Sequence, residues 1–234
     1  MSVEGQKEAA ARYAAGLVQD GMAVGLGSGT TARLLVTELG RRIVRGLRMI
    51  GVPTSDETAE LARSFGIPLA TLDEQTRLDI VIDGADEVDP RLNLIKGRGG
   101  ALLREKIVAL AGKRFVVIVD ESKRVPKLGE HAPIPVEVVP FGWQTTRRRL
   151  EELGFSCELR GSETPYVTDG GNLILDCHVP PSVDLADPAV AGSIKAQTGV
   201  VEHGLFLGVA DTVIVGTSTG DVSVLDRASL SLRS

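Results

Sequence analysis

The sequence predicts an α/β fold: a doubly wound, mainly parallel, Rossmann-like sheet with a smaller inserted α+β domain of ferredoxin-like type. Three observations predict it. Strand-like and helix-like segments alternate through the first half of the 234-residue chain, the order that builds a parallel sheet. Hydrophobic residues make up 43% of the chain and aromatics only 3%, an aliphatic core suited to parallel strands covered by helices. Past Lys123 the character changes, and Pro126, Pro133, Pro135 and Pro140 punctuate short β-like pieces.

Residues 7–19 carry Ala10, Tyr13, Ala14, Leu17 and Val18 at helical spacing, which predicts an amphipathic helix with Lys7 at its start. The helix dipole disfavours a cation there, so Lys7 is either a plain surface residue or a contact to a bound anion. Residues 22–26 form a strand running into Gly25-Leu26-Gly27-Ser28-Gly29-Thr30-Thr31, then a helix bearing Leu34, Leu35 and Leu39. A strand, a glycine- and hydroxyl-rich turn and a helix start leave backbone N–H groups free for an anion. The turn is not a Walker A loop. As a dinucleotide fingerprint it is broken: Thr30 replaces the third glycine, and the next strand, 47–52, ends in Pro53-Thr54-Ser55 rather than an acid. A phosphate or hydroxyl-rich ligand fits better than NAD. Thr54 and Glu57 have capping-box spacing before a helix with Leu61, Ala62 and Phe65, and residues 67–72 read as a further strand.

The apolar run Ile80-Val81-Ile82 reads as a buried parallel strand, followed at once by Asp83-Gly84-Ala85-Asp86-Glu87-Val88-Asp89. Ligands in open α/β sheets bind at the carboxyl ends of strands. Four acids in seven positions could hold a divalent cation, but the spacing fits no EF-hand loop and no histidine is near. Lys96-Gly97-Arg98-Gly99-Gly100 is a second flexible loop. It precedes a helix with Leu102, Leu103, Ile107 and Leu110 on its apolar side and Glu105 in its first turns. Asp83, Asp86, Lys96 and Glu105 therefore converge on one pocket. Carboxylates move protons and an ammonium stabilises charge developing on oxygen, which suits proton transfer beside a carbonyl. Residues 114–119 give the next strand, ending at Asp120-Glu121-Ser122-Lys123 and placing Lys123 at a strand's carboxyl end.

The inserted part reads as strand 136–139, helix 144–153, strands 157–159, 166–168 and 173–177, helix 188–197 and strand 199–202, a ferredoxin-like order. Residues 205–209, 212–215 and 222–225 are expected to return to the first sheet. The implied division is 1–129 with 205–234 for the parallel-sheet domain and 130–204 for the insert. Cys157 and Cys177 form no CxxC and are expected as small core or half-buried thiols. His131, His178 and His203 lack ligand spacing, and Trp143 reads as a packing residue. A net charge of −5, a pI near 5.3 and the lack of a basic stripe disfavour nucleic-acid binding. No apolar segment approaches the roughly 18 residues of a membrane span, and the first residues lack a signal-peptide pattern. A soluble cytoplasmic protein is the expectation.

These motifs, together with residues 133–141, Thr168-Asp169-Gly170-Gly171-Asn172 and Gly204-Leu205-Phe206, run in one order over nearly the whole chain. In that order they closely resemble ribose-5-phosphate isomerase, type A. The resemblance implies interconversion of ribose 5-phosphate and ribulose 5-phosphate in the non-oxidative pentose phosphate pathway, without metal or organic cofactor. By position it implies that Glu105 is the base acting between C1 and C2. Asp83 would assist ring opening, Asp86 would orient hydroxyls, and Lys96 would steady the enediolate. Ser28, Gly29, Thr30 and Thr31 would bind the sugar phosphate with Gly84, Ala85, Gly97, Arg98 and Gly99, and Lys123 and Lys7 would add cationic contacts. It also implies a homodimer or homotetramer. Arg98 departs from the small or apolar residue often found there, and the hydroxyl order at 28–31 varies from a common form. The rival readings are a sugar-phosphate sensor, which would not need Glu105, and a nicotinamide-dependent dehydrogenase, which the broken fingerprint disfavours.

Overall fold

The computed structural model describes residues 1–161 and 164–230. Residues 162–163 of the insert and 231–234, assigned from sequence to the parallel-sheet domain, lie outside them. The first half contains α1 (Val3–Ala15), β1 (Ala23–Leu26), α2 (Gly29–Val44), β2 (Ile50–Pro53), α3 (Asp56–Ser64), β3 (Ile80–Asp83), β4 (Glu87–Val88), β5 (Leu94–Ile95), α4 (Leu102–Ala111) and β6 (Phe115–Asp120). Then follow β7 (Ile134–Val138), α5 (Trp143–Glu152), β8 (Ser156–Leu159), β9 (Leu173–His178), α6 (Pro188–Lys195) and β10 (Val200–His203). The chain continues through β11 (Leu205–Phe206), β12 (Thr212–Gly216), β13 (Val222–Asp226) and α7 (Arg227–Leu230).

The main sheet has the order β13-β12-β6-β3-β1-β2, parallel throughout except for the antiparallel edge strand β13. Its strands are apolar on both faces because both are covered. Ile80, Ile82, Val116, Ile118 and Ile214 pack with Ala10, Ala14, Leu35 and Leu39 of α1 and α2. Val81, Val117, Val119, Val213 and Val215 face the other way, toward Val108 and Ala109 of α4. From β1 the chain goes outward to β2 and then returns to lay β3 on β1's other side. The sheet's topological switch point therefore lies between β1 and β3, where such sheets bind ligands.

The inserted elements form a four-stranded antiparallel sheet, β10-β7-β9-β8, with α5 and α6 against it. Its core includes Val136, Val138, Leu150, Leu175 and Ile194, with Trp143 packed at the edge. This is the ferredoxin-like arrangement expected from the element order.

Several expectations need correction. Residues 205–209 do not rejoin the main sheet; β11 pairs antiparallel with β5 in a small sheet β11-β5-β4. Residues 67–72 contribute only a single bridge, Gly51 with Leu69, because a turn closed by Thr71 and Glu74 follows at once. Residues 166–168 likewise make one bridge, Val167 with Leu173, before the turn at Thr168 and Gly171. The cap of α3 is Ser55, whose Oγ accepts the Thr58 N–H at 3.1 Å; Thr54 is buried instead. Helix α1 begins at Val3 with Ser2 as its cap, so Lys7 lies beyond the first turn and Leu17 and Val18 lie past the helix. On α4, Ile107 and Leu110 are 48% and 67% exposed. Glu105, Val108 and Ala109 share the inward face at i, i+3 and i+4 spacing, and that turns 107 and 110 outward.

Cys157 and Cys177 are not separate thiols. They lie directly opposite in the β8–β9 register and form a disulfide, with Cα atoms 4.1 Å apart. No helix among the described residues is long and apolar enough to cross a membrane.

The acidic run divides its work. Asp83 ends β3. Buried Glu87 accepts N–H groups of Gly129 at 2.6 Å, His131 at 2.6 Å and Ala132 at 2.7 Å, clamping the entry to the insert. Asp89 accepts from Arg91, Asn93 N and Asn93 Nδ2, closing a tight turn. Among the described residues no group of three His, Cys, Asp or Glu side chains is arranged to hold a metal. Glu87→Ala removes charge-assisted bonds to three N–H groups and is expected to lower stability by roughly 3 kcal/mol in denaturant titration.

Candidate active site

The switch point brings the end of β1 against the end of β3. Asp83 Oδ1 accepts the N–H of Ser28 at 2.9 Å and of Gly84 at 2.7 Å. The approach requires glycine at 27, since a Cβ there would fall 2.1 Å from Asp83 Oδ1. The Ser28 hydroxyl does not cap α2; it pairs with Thr54 Oγ1 at 2.6 Å. The first N–H groups of a 16-residue helix are thereby left without a side-chain cap, facing the cavity as an anion cradle. Lys7 reaches the same place from α1, donating to Thr30 Oγ1 at 3.1 Å.

Lys96 follows β5 and is 2% exposed. Its ammonium donates to Gly84 O at 2.6 Å and lies 2.9 Å from Asp83 Oδ2 and 3.3 Å from Glu105 Oε2. The Phe206 ring centroid is 5.6 Å away. The contact to Glu105 is one of charge without an aligned hydrogen bond, and Oε2 has no hydrogen-bond partner among the described residues. Gly97, at φ +102°, turns the chain immediately after the lysine; a Cβ there would lie 2.8 Å from Leu102 Cβ. Glu105 is in the first turn of α4, where the helix dipole favours a carboxylate.

One ammonium faces two buried carboxylates. Burial disfavours the Lys96 cation, but Asp83 and Glu105 outweigh it and hold its pKa above the ordinary lysine value. Burial is also the largest influence on both acids, and it pushes Asp83 upward against the pull of Lys96 and of two N–H donors. Glu105 rises to about 7, through burial first, opposed by Lys96 and reinforced by the charges of Asp83 and Asp86. Asp83 accepts two backbone N–H groups that favour its charged form, and Glu105 has none.

A cavity of about 400 Å³ collects these groups. Glu105, Lys96 and Asp86 line it together with Ser28, Gly29, Thr30, Thr31, Gly84, Ala85, Gly97, Arg98, Gly99, Lys7 and Lys123. Of the residues expected from sequence only Asp83 is absent from the wall; it lies just behind, touching Lys96. Asp86 is fixed by the Arg98 N–H, which donates to Oδ2 at 2.9 Å. Three residues near the site escaped the sequence reading: Thr54, Arg160 and Tyr166. Thr54 follows a strand end, as Ser28 does, which was a usable signal. Arg160 and Tyr166 reach the site from the insert, and no local pattern marks them.

Sheet, insert and buried ammonium–carboxylate cluster together define an α/β enzyme with groups suited to acid–base chemistry. The family model for ribose 5-phosphate isomerase A (phosphoriboisomerase A) matches residues 50–220. The ribose-5-phosphate isomerase A of Thermomicrobium roseum is 54% identical over 232 residues, covering 97% of this chain and 96% of its own. A D-ribose-5-phosphate isomerase solved in complex with phospho-erythronic acid superposes with a TM-score of 0.92 at 40% identity, covering 97% of this chain and 100% of its own. That of Methanocaldococcus jannaschii gives 0.90 at 44% identity, covering 96% and 100%. The chain belongs to the ribose 5-phosphate isomerase A family.

Glu105 is expected to be neutral below pH of about 7 and ionised above it. Infrared titration against Glu105→Gln reads this directly. Its folded-state pKa exceeds the ordinary 4.5, so its contribution to stability is full below 4.5 and lost as pH rises through about 7.

Proposed function

We propose that this chain interconverts D-ribose 5-phosphate and D-ribulose 5-phosphate through an enediolate. The observation that carries the reading is the 3.3 Å contact between Lys96 and Glu105, on the wall of a cavity that also contains the start of α2, Lys7 and Lys123. The phosphate binds at the α2 N–H groups with the two lysines. The open-chain sugar then lies along the 84–86 and 96–99 loops.

Glu105 removes the proton from C2 of the aldose and returns it to C1, forming the ketose; the reverse reaction uses the same groups. A carbon acid beside a carbonyl is too weak for an unaided carboxylate, so charge appearing on oxygen must be met as it forms. Lys96 meets it. Asp83, behind Lys96, assists ring opening and proton movement among the oxygens, and Asp86 orients hydroxyls. Phospho-erythronic acid, bound by the solved relative, bears two oxygens on its terminal carbon and a phosphate at the other end. It thus resembles a shortened enediolate.

The same proposal includes the division into 1–129 with 205–234 and 130–204, a cytoplasmic location, and assembly as a homodimer or homotetramer, which sedimentation velocity reads.

Glu105→Gln is expected to leave substrate binding nearly intact and to cut turnover by roughly a thousandfold or more; near-normal turnover would remove Glu105 from its role. Lys96→Ala is expected to lower kcat more than it weakens binding, and a pure affinity loss would make Lys96 a binding residue. Tritium exchange from solvent into ribose 5-phosphate, with chelator present, tests proton abstraction itself.

A further inference from the structure

Three successive carbonyls of the loop after Lys96 turn toward the insert. Arg160 Nη1 donates to Gly97 O at 2.9 Å and to Arg98 O at 3.0 Å. Tyr166 Oη donates to Gly99 O at 3.1 Å. Arg160 is itself gripped by Asp176 through two bonds, from Nε at 2.9 Å and Nη2 at 2.5 Å, and its guanidinium lies 6.0 Å from the Tyr166 ring centroid. The guanidinium thus joins a carboxylate on one side to two peptide groups on the other, a task suited to its fixed fork of donors.

In a trans peptide the C=O and N–H point in opposite directions. The peptide whose Gly97 carbonyl Arg160 holds has its N–H on Arg98, and that N–H holds Asp86 Oδ2. One peptide plane is therefore stretched between Arg160 and the carboxylate of Asp86. The next plane, held at Arg98 O, turns the N–H of Gly99 away from Arg160, and Gly99 forms part of the cavity wall. A guanidinium just past the end of β8 sets both the Asp86 carboxylate and the Gly99 amide without lining the sugar-phosphate cavity.

We propose that Arg160, held by Asp176, is a positioning residue for the isomerisation, orienting the 97–99 peptides so that Asp86 and the Gly99 N–H meet the sugar. This rests on the isomerase reading above. A separate cavity of about 350 Å³, lined in part by Asp86, Arg98, His131, Arg160 and Asp176, opens beside the guanidinium. A small cation can therefore enter when the side chain is removed.

The test is ribose 5-phosphate isomerisation by the wild type, Arg160→Ala, Arg160→Lys and Asp176→Asn, with thermal melting of each. Misplacement of reacting groups costs up to about a hundredfold. Arg160→Ala is expected to lose about ten- to a hundredfold in kcat/KM, mostly in kcat, while still melting cooperatively. Guanidinium at millimolar concentration is expected to restore several-fold activity. Arg160→Lys is expected to stay impaired, because an ammonium gathers its donors at one point and cannot span from the Asp176 carboxylate to the 97–98 carbonyls as the guanidinium fork does. Asp176→Asn is expected to lose only a few-fold. Wild-type kcat and KM in Arg160→Ala would overturn the inference. So would a loss that guanidinium does not reverse and that accompanies melting of the insert. An inactive wild type would overturn the isomerase reading and this inference with it.

Discussion

The structure depends on one buried ammonium placed between two buried carboxylates. Lys96 is 2% exposed, Asp83 1% and Glu105 4%. Removing Lys96 from such a set would leave two carboxylates in the interior without their cation, which is strongly destabilising. The set also ties separate elements together. Asp83 belongs to β3 and grips the turn after β1, Lys96 follows β5, and Glu105 starts α4. Fold and chemistry therefore meet at the same three side chains. The imbalance of one cation against two acids disfavours full ionisation of the pair, and burial raises the pKa of both acids, Glu105 to about 7. The same imbalance makes the protein less stable as Glu105 ionises, so the ionised form that the proposed proton abstraction requires is the less stable one.

Much of this was legible in the sequence because the site is built from strand ends. Ile80-Val81-Ile82 announces a buried strand, and whatever follows it must lie at the sheet's carboxyl edge. The turn at Gly27 and Ser28 obeys the same rule, as does Lys123 after β6. The ferredoxin-like insert was legible from element order alone. What escaped depends on partners distant in sequence. The Cys157–Cys177 bond follows from hairpin register, which sequence spacing does not reveal. Ile107 and Leu110 have the periodicity of a core face, but a buried Glu105 rotates α4 away from that solution. Residues 205–209 look like one more strand for the main sheet, yet only two of them pair, and with β5. Arg160 has no local signature because its role exists only once the insert is folded over the 97–99 loop.

The insert is part of how the site is held. Glu87, the residue immediately after Asp86, clamps residues 129–132, and Arg104 of α4 reaches Asp56 at 2.7 Å and Asp169 at 3.2 Å. Lys106, one turn along from the start of α4, donates to Glu202 at 2.8 Å and His203 O at 2.6 Å. Burial and the neighbouring Lys106 charge keep His203 neutral, lowering its pKa to about 4. The helix bearing the proposed base is thus anchored from both sides along its length.

The two residues of β11 show what this means for motion. Leu205 is buried in the core of the insert and Phe206 in the core beneath the main sheet, because neighbouring side chains on a strand point opposite ways. Leu94 and Ile95 of β5, paired with them, divide between the same two cores, so the small sheet rivets the two interiors. Swinging one unit over the other would unseat an aromatic ring and a leucine in the same step, and would drag the ring from beside Lys96. Relative movement of the main sheet and the insert is therefore coupled to the loss of these buried contacts.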